Sequence, residues 1–326
     1  MATTSNAPVI DADGHVMEPL TLWAERMDRK KWGDLIPRFD PDEGSFVIGG
    51  VPRVGGRKVF AELAAERGIT LEEFVKVTTS PYRHDPGGYD PRGRIAALDR
   101  DGIDAAVLYA STALFFGPAD PNEALRNPEF VAACQRAYNE WIGDFCREAP
   151  DRLFGMAAVP LQDPKLACRE ARHAVEKLGL KGVFVRPSAY VDELPLSHGV
   201  YDEFWATCQD LGAPVAFHPG VHADTPGACR KFQLVKESPD LAITNRAVSE
   251  IYGGSGLGQA IGNAVDMIVT MGRLLMGGVC ERFPRLKFLF LEAGGGWCAT
   301  ILERMDEQVE AFWLERRWLS MLPSEY

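Results

Sequence analysis

Leu153-Phe-Gly-Met-Ala-Ala-Val159, then Asp163-Pro164, then Gly182-Val-Phe-Val185 form the stretch whose reading decides the fold. The first and last runs are short and apolar throughout, which marks strands buried on both faces rather than on one. Between them, Asp163 stands where a helix N-cap belongs and Pro164 at the first helical position. Leu166, Ala167, Ala171, Ala174, Val175 and Leu178 then recur at helical spacing, and Gly179 supplies the stop. Strand, crossover helix and strand make one βαβ unit of a parallel sheet.

The same unit repeats outward in both directions. Upstream, Asp90-Pro91 opens a helix with Ile95 and Leu98 on its stripe, Gly102 ends it, and Asp104-Ala-Ala-Val-Leu-Tyr109 reads as a buried strand. Asn127-Pro128 opens the next helix, with Phe130, Cys134, Tyr138, Trp141 and Phe145 inward. Downstream, a helix carrying Tyr201, Phe204, Trp205, Cys208 and Leu211 leads through Gly212 into Pro214-Val-Ala-Phe217. A helix over about Asp266 to Arg282 precedes the strand Leu286–Leu291, and a last helix is expected from Cys298 to about Trp318. With a first strand at Val9–Ala12 this gives six strands, most followed by a helix, in a (β/α)-barrel or a doubly wound sheet. Segment 19–89 breaks the rhythm. It is rich in glycine, proline and charge, carries one helical piece near Ile69–Val77, and reads as a cap inserted after the first strand of a single domain spanning 1–326.

With 326 residues, 46% hydrophobic and 25% charged, the chain has the composition of a soluble globular protein. Its 46 acidic against 35 basic residues, a net charge of −11, argue against nucleic acid or an anionic membrane as partner, since both demand a basic footprint. No stretch has the length of a membrane span, and Met1–Asn6 has neither the basic nor the apolar region of a secretory signal. The seven cysteines (134, 146, 168, 208, 229, 280 and 298) are odd in number and form no Cys-x-x-Cys pair. They read as small core hydrophobes in a reducing, cytoplasmic setting.

Polar side chains collect just beyond the carboxyl ends of the strands. The first strand leads into Asp11-Ala-Asp13-Gly-His15-Val-Met-Glu18-Pro19, another into Arg186-Pro187, the next into His218-Pro-Gly220, and the last into Glu292-Ala-Gly-Gly-Gly-Trp297. In a barrel the active site is built on that rim. Asp-x-His alone is also ordinary turn chemistry, and a lone His218 reads first as a core residue bonded to the backbone. Residues two apart in a strand share a face, however. Asp13 and His15 can therefore converge, and with His218 they make two imidazoles and a carboxylate on rigid strand ends, a donor set for catalytic Zn²⁺ or Mn²⁺. Arg186 has the fork geometry of a carboxylate clamp, with a salt bridge as the alternative.

These pieces together resemble a known group. Asp11–Pro19, Phe217-His-Pro-Gly220 and Phe283-Pro-Arg-Leu286 with Leu291-Glu-Ala-Gly-Gly-Gly-Trp297 and Glu303-Arg-Met-Asp306 are similar to the amidohydrolase-related branch. That branch contains aminocarboxymuconate-semialdehyde decarboxylase and the resorcylate decarboxylases. Gly87–Pro91, Asp99–Asp104, Tyr138–Trp141 and Asp151–Phe154 also look like it, so the likeness runs along essentially the whole chain. The resemblance implies a TIM-barrel-like (β/α)8 fold of the metal-dependent hydrolase type. It implies a divalent metal, zinc first and manganese second, and non-oxidative decarboxylation of a small aromatic or unsaturated carboxylic acid. A metal-dependent hydrolase of a C–O, C–N or C–C bond is the alternative, and a barrel without catalytic metal the non-enzyme one.

Carried over by position, Asp13 and His15 match the first-strand ligand pair and His218 the strand-five ligand, a metal ligand and catalytic group together. Glu292 falls where several decarboxylases have a histidine acting as acid/base; its alternative role is an ion pair with Arg304 or another rim arginine. Arg186 and Trp297 are the expected substrate contacts. The resemblance also calls for a fourth ligand, an aspartate after an eighth strand. After the helix following the sixth strand only Leu322-Pro-Ser-Glu-Tyr326 remains. The expectation is thus a fragment lacking the last two strands, or a short form whose open edges pair with another chain as a homodimer.

Other signals carry less. Tyr252-Gly-Gly-Ser-Gly-Leu-Gly-Gln-Ala-Ile-Gly262 mimics a dinucleotide loop but is followed by a helix, with no acid-ended strand after it, so it reads as a rim loop. His222 reads first as a surface-loop residue, with reach to a substrate as the alternative; His84 lies in the insertion and would enter the site only if that segment is a lid; His173 and His198 read as solvated.

Overall fold

The computed structural model describes residues 7–43, 45–52, 61, 64–65, 68–73, 86–116, 122–219, 258–312, 314 and 318–326. Six strands form one parallel sheet: β1 (Ile10–Val16), β5 (Ala105–Ala110), β6 (Leu153–Ala158), β7 (Gly182–Val185), β8 (Val215–Phe217) and β9 (Phe288–Phe290). They lie side by side in chain order, β1-β5-β6-β7-β8-β9, each parallel to the next. This is the barrel alternative of the two left open by the repeat, and among the described residues it has six strands with β1 and β9 at its edges.

Burial follows that order. β7 and β8 are wholly buried and β5 and β6 almost so, whereas all of β9 is half-buried and Ile10 on β1 is 53% exposed. The helices between the strands are α3 (Pro91–Asp101), α4 (Pro128–Arg147), α5 (Pro164–Glu176), α6 (Asp202–Leu211), α7 (Ala264–Met276), α8 (Val279–Arg282) and α9 (Gly296–Ala311), after the short α1 (Leu22–Arg26) and α2 (Arg29–Trp32). Three N-caps stand where the sequence placed them. Asp90, Asn127 and Asp163 accept from the first-turn amides, each followed by proline. Gly212 ends α6 with φ 64°, a left-handed conformation that glycine adopts without strain.

The core is continuous from α4 through the sheet to α6. Asn139 of α4, fully buried, completes the rim end of β6 with two bonds to Ala158: its Nδ2 donates to the carbonyl at 2.9 Å and its Oδ1 accepts from the amide at 2.8 Å. Phe217 of β8 stacks on Phe290 of β9 with ring centroids 5.7 Å apart. Within segment 19–89, β2 (Arg38–Asp40), β3 (Ser45–Ile48) and β4 (Val51–Pro52) form a small antiparallel sheet, which meets the barrel where Trp23 packs between Phe46 and Phe116. The Met17 amide donates to the Gly88 carbonyl at 2.7 Å, drawing the two ends of the segment together. Of the helical piece expected near 69–77, residues 71–73 are helical and 74–77 lie outside the described residues.

Apart from shifts of one or two residues at other element ends, three boundaries differ from expectation. β1 runs on through Val16, because Gly14, His15 and Val16 pair with Leu108, Tyr109 and Ala110. The helix expected over Asp266–Arg282 is two, divided at Gly277-Gly278. A side chain at Gly277 would meet Ser197 at 2.3 Å, and Gly278 turns the chain with φ 73°. The last helix ends at Ala311, short of Trp318, where Phe312 leaves helical dihedrals. Among the described residues no helix is long and apolar enough to cross a membrane. Cys134, Cys146, Cys168 and Cys208 are buried free thiols, while Cys280 and Cys298 are half-buried.

Candidate metal centre

Asp13 and His15 sit in β1, and His218 directly follows β8. Their ligand atoms all lie within 4.8 Å of one another. A register shift between Asp11 and Gly14 lets both β1 side chains reach the cluster. Gly14 is needed there for closeness rather than for a turn: a Cβ would stand 2.9 Å from Asp11 Oδ2 and 3.2 Å from the Val107 carbonyl. The Asp13 amide donates to Asp11 Oδ1 at 3.1 Å, so the first aspartate of the motif shapes the backbone that carries the second.

The two imidazoles have fixed tautomers. His15 Nδ1 lies 2.9 Å from the Ala110 carbonyl and His218 Nδ1 lies 2.8 Å from that of Pro219. A carbonyl can only accept, so each Nδ1 carries the hydrogen and each Nε2 presents a lone pair when the ring is neutral. These Nε2 atoms face each other at 2.9 Å. Asp13 Oδ1 lies 3.5 Å from His218 Nε2 and is buried, and among the described residues no hydrogen-bond donor reaches it. Three electron-rich atoms converging on one point is the arrangement that a cation relieves, and backbone carbonyls behind both rings are the usual support of ligating histidines.

The electrostatics agree. Burial pulls the Asp13 carboxyl upward, but the proximity of His218, the charge of His15 and the Glu292 amide outweigh it and hold the group below its ordinary value. Burial first, and His218 second, push the His15 imidazole down, which favours its neutral, ligating form.

Glu292 follows β9 across the opening. Its amide donates to Asp13 Oδ2 at 3.2 Å, and its Oε1 lies 3.9 Å from His15 Nε2. Burial raises its carboxyl above the ordinary range, the charge of His218 opposing and that of Asp13 adding. Arg304 pairs with Glu307 at 3.1 Å. Arg186 lies at the rim end of β7, 5% exposed, and its amide donates to the Tyr190 hydroxyl at 2.7 Å. Trp297 stands half-buried in the first turn of α9, edge-on to Phe290, with its indole N–H donating to the Ala293 carbonyl at 2.8 Å.

A sequence model of the family described as amidohydrolase matches residues 10–326. The chain belongs to the amidohydrolase family. Within it, the chain is 26% identical over 219 residues to the 2-amino-3-carboxymuconate-6-semialdehyde decarboxylase of Dictyostelium discoideum. That alignment covers 67% of this chain and 51% of the decarboxylase, so this amidohydrolase chain spans about half the length of that curated relative. Among solved structures, an amidohydrolase from Mycobacterium avium subsp. paratuberculosis K-10 superposes with a TM-score of 0.65 at 23% identity, covering 98% of this chain and 81% of the other. A dihydroxybenzoic acid decarboxylase from Polaromonas sp. JS666, with bound manganese and the inhibitor 2-nitroresorcinol, superposes at 0.55 with 19% identity, covering 94% and 70%. At these identities the two superpositions establish the shared fold.

Three residues at the site carry no role in the sequence reading. Tyr109 stands opposite His15 in the β1–β5 register, its ring 5.8 Å from that of His218 and its buried hydroxyl without a partner among the described residues. Glu18 is buried, and its carboxylate accepts from the Thr112 and Ala113 amides at 2.9–3.0 Å, tying the ends of β1 and β5 together. Asn263 approaches Glu292 from the turn before α7. Only Tyr109 had a signal to read, a polar-tipped aromatic in an otherwise aliphatic strand. His173 is half-buried rather than solvated; burial and the nearby Arg136 lower its pKa. His198 is exposed and accepts from the Val200 amide at 3.2 Å. His84, His222, Cys229 and residues 252–257 of the glycine-rich run lie outside the described residues, and Gly258–Asn263 form a π-helical turn.

Proposed function

We propose that this chain carries the metal-binding side of an amidohydrolase-family carboxy-lyase, which removes CO₂ without oxidation from a small aromatic or unsaturated carboxylic acid. Asp13, His15 and His218 are the proposed ligands of one divalent cation. The observation that carries the proposal is the pair of bare Nε2 atoms 2.9 Å apart beside the unpartnered Asp13 Oδ1. Two imidazoles and a carboxylate suit both zinc and manganese. Manganese is the ion in the dihydroxybenzoic acid decarboxylase of similar fold. When bound, the cation supplies Lewis-acid polarisation of a substrate oxygen.

The remaining chemistry belongs to side chains. Glu292, with its carboxyl raised by burial, holds a proton closer to neutral pH than an ordinary glutamate and is the proposed acid. It delivers that proton to the carbon bearing the carboxylate. The bond to the carboxylate carbon then breaks, its electron pair returns to the unsaturated system, and CO₂ leaves. Glu292 is only partly buried and regains a proton from water. Arg186 is the proposed partner of the substrate's polar groups at the rim, and Trp297 the proposed wall for its ring.

The test is CO₂ release from a panel of hydroxybenzoates and unsaturated dicarboxylates by protein reconstituted separately with zinc and with manganese. CO₂ stoichiometric with product, lost in Glu292→Gln with metal retained, is the expected result. Cleavage of an ester or amide without CO₂ would overturn it in favour of a hydrolase.

A further inference from the structure

Asn263 is the last residue of the π-helical turn and runs straight into α7 with helical dihedrals, φ −62° and ψ −42°, so its side chain has no capping role there. The side chain is 1% exposed, and its Nδ2 reaches to the end of β9, donating to the Glu292 carbonyl at 3.3 Å and lying 3.5 Å from Glu292 Oε2. Its Oδ1 is buried, and among the described residues no donor reaches it. Burying an amide with half its bonding capacity unmet is unfavourable, so packing alone does not account for the residue type.

Glu292 is a residue that needs holding. Its φ of 51° lies in the left-handed region, which long side chains avoid. The structure grips it from both ends: its amide is bound to Asp13 Oδ2 and its carbonyl to Asn263 Nδ2. Because the amide lies before the φ axis and the carbonyl after it, rotation of φ to an ordinary negative value would break one of these bonds or the other. It would also carry the carboxyl away from its 3.9 Å approach to His15.

We infer that Asn263 is a positioning residue that locks Glu292 in this conformation, aiming its carboxyl at the metal cluster and holding its amide against Asp13. The consequence for reaction rests on the catalytic reading of Glu292 given above. The consequence for Asp13 does not, because the amide of Glu292 supports the ligand whatever the reaction.

The experiment compares Asn263→Ala, Asn263→Asp, Glu292→Gln and the Asn263→Ala/Glu292→Gln double variant, with Thr270→Ala as control. Thr270 is as deeply buried on the same helix and bonds only within α7, to the Asp266 carbonyl, so its variant reports what loosening the helix does. Asn263→Asp keeps the size and lacks the donor, which covers the case that alanine disturbs folding. Mn²⁺ affinity, by calorimetry, is expected to fall about 10- to 100-fold in both Asn263 variants, as for lost support of a metal ligand, and to stay within about twofold in Thr270→Ala. In turnover, Asn263→Ala lowers kcat with KM little changed, and lowers it no further when Glu292 is already glutamine. Wild-type Mn²⁺ affinity in both Asn263 variants, or an equal loss in Thr270→Ala, overturns the inference even if CO₂ release stands. The expected affinity losses without CO₂ release from any substrate uphold the clamp and remove the decarboxylase reading alone.

Discussion

His15 and His218 meet Nε2 to Nε2 at 2.9 Å, their rings crossed at 80°. With both Nδ1 hydrogens committed to backbone carbonyls, no hydrogen is left between the rings when both are neutral. Removing one ligand should therefore abolish binding rather than weaken it slightly. Purified Asp13→Ala and His218→Ala are expected to retain less than about a tenth of the wild-type metal content by elemental analysis, while keeping a cooperative unfolding transition. Stoichiometric metal in either variant contradicts the ligand set.

Metal removal follows the same logic in stability. An ion that binds the folded chain alone adds about 2.7 kcal/mol at a free concentration 100 times its Kd. Chelation should lower Tm, and added Mn²⁺ or Zn²⁺ should restore it in proportion to the logarithm of its concentration. His218→Ala should show no such response, and a scan of Tm against metal concentration reads both outcomes.

Gly14 ties the ligand pair to the sheet. A methyl group there would meet Asp11 Oδ2 and Leu108 Cδ2 within 3.0 Å and the Val107 carbonyl at 3.2 Å. Two of those atoms can move, but the carbonyl belongs to β5 and cannot yield without displacing the strand. Gly14→Ala should cost about 1–3 kcal/mol in denaturant unfolding, as overpacking of a tight core does, and should weaken metal binding as well. Stability within about 0.5 kcal/mol of wild type would show that β1 gives way freely.

How much of this was legible in the sequence follows from range. The βα units could be read because their signals are local: Asp163-Pro164 caps, Gly212 terminates, and apolar strands such as Gly182–Val185 announce burial on both faces. Asp13, His15 and His218 could be read as a set because parallel strands put every carboxyl end on one rim. The roles of Glu18 and Asn263 could not. Each acts through a contact with a residue distant in sequence, Thr112 and Ala113 for one and Glu292 for the other. The need for glycine at 277 was equally hidden, since a side chain there would meet Ser197 from another loop as well as the Arg273 carbonyl.

Glu18 gives a pH dependence with a definite sign. Burial raises its carboxyl above the ordinary value of 4.5, although the Ala113 and Thr112 amides pull the other way. The folded chain thus holds this proton more tightly than the unfolded chain. Its contribution to stability is fully present below pH 4.5 and is lost as pH rises through the folded value. Glu18→Gln removes the titration but keeps an acceptor for one of the amides. The stability of Glu18→Gln relative to wild type should therefore increase as pH rises from 4.5 and level off above the raised pKa. Glu18→Ala, by contrast, should be less stable than Glu18→Gln at every pH by about 1–3 kcal/mol, because it leaves the Thr112 and Ala113 amides buried without an acceptor. Urea unfolding of the three proteins between pH 4 and 8 measures both effects. A Glu18→Gln difference that falls with rising pH would mean that the amides, and not burial, govern the carboxylate joining β1 to β5.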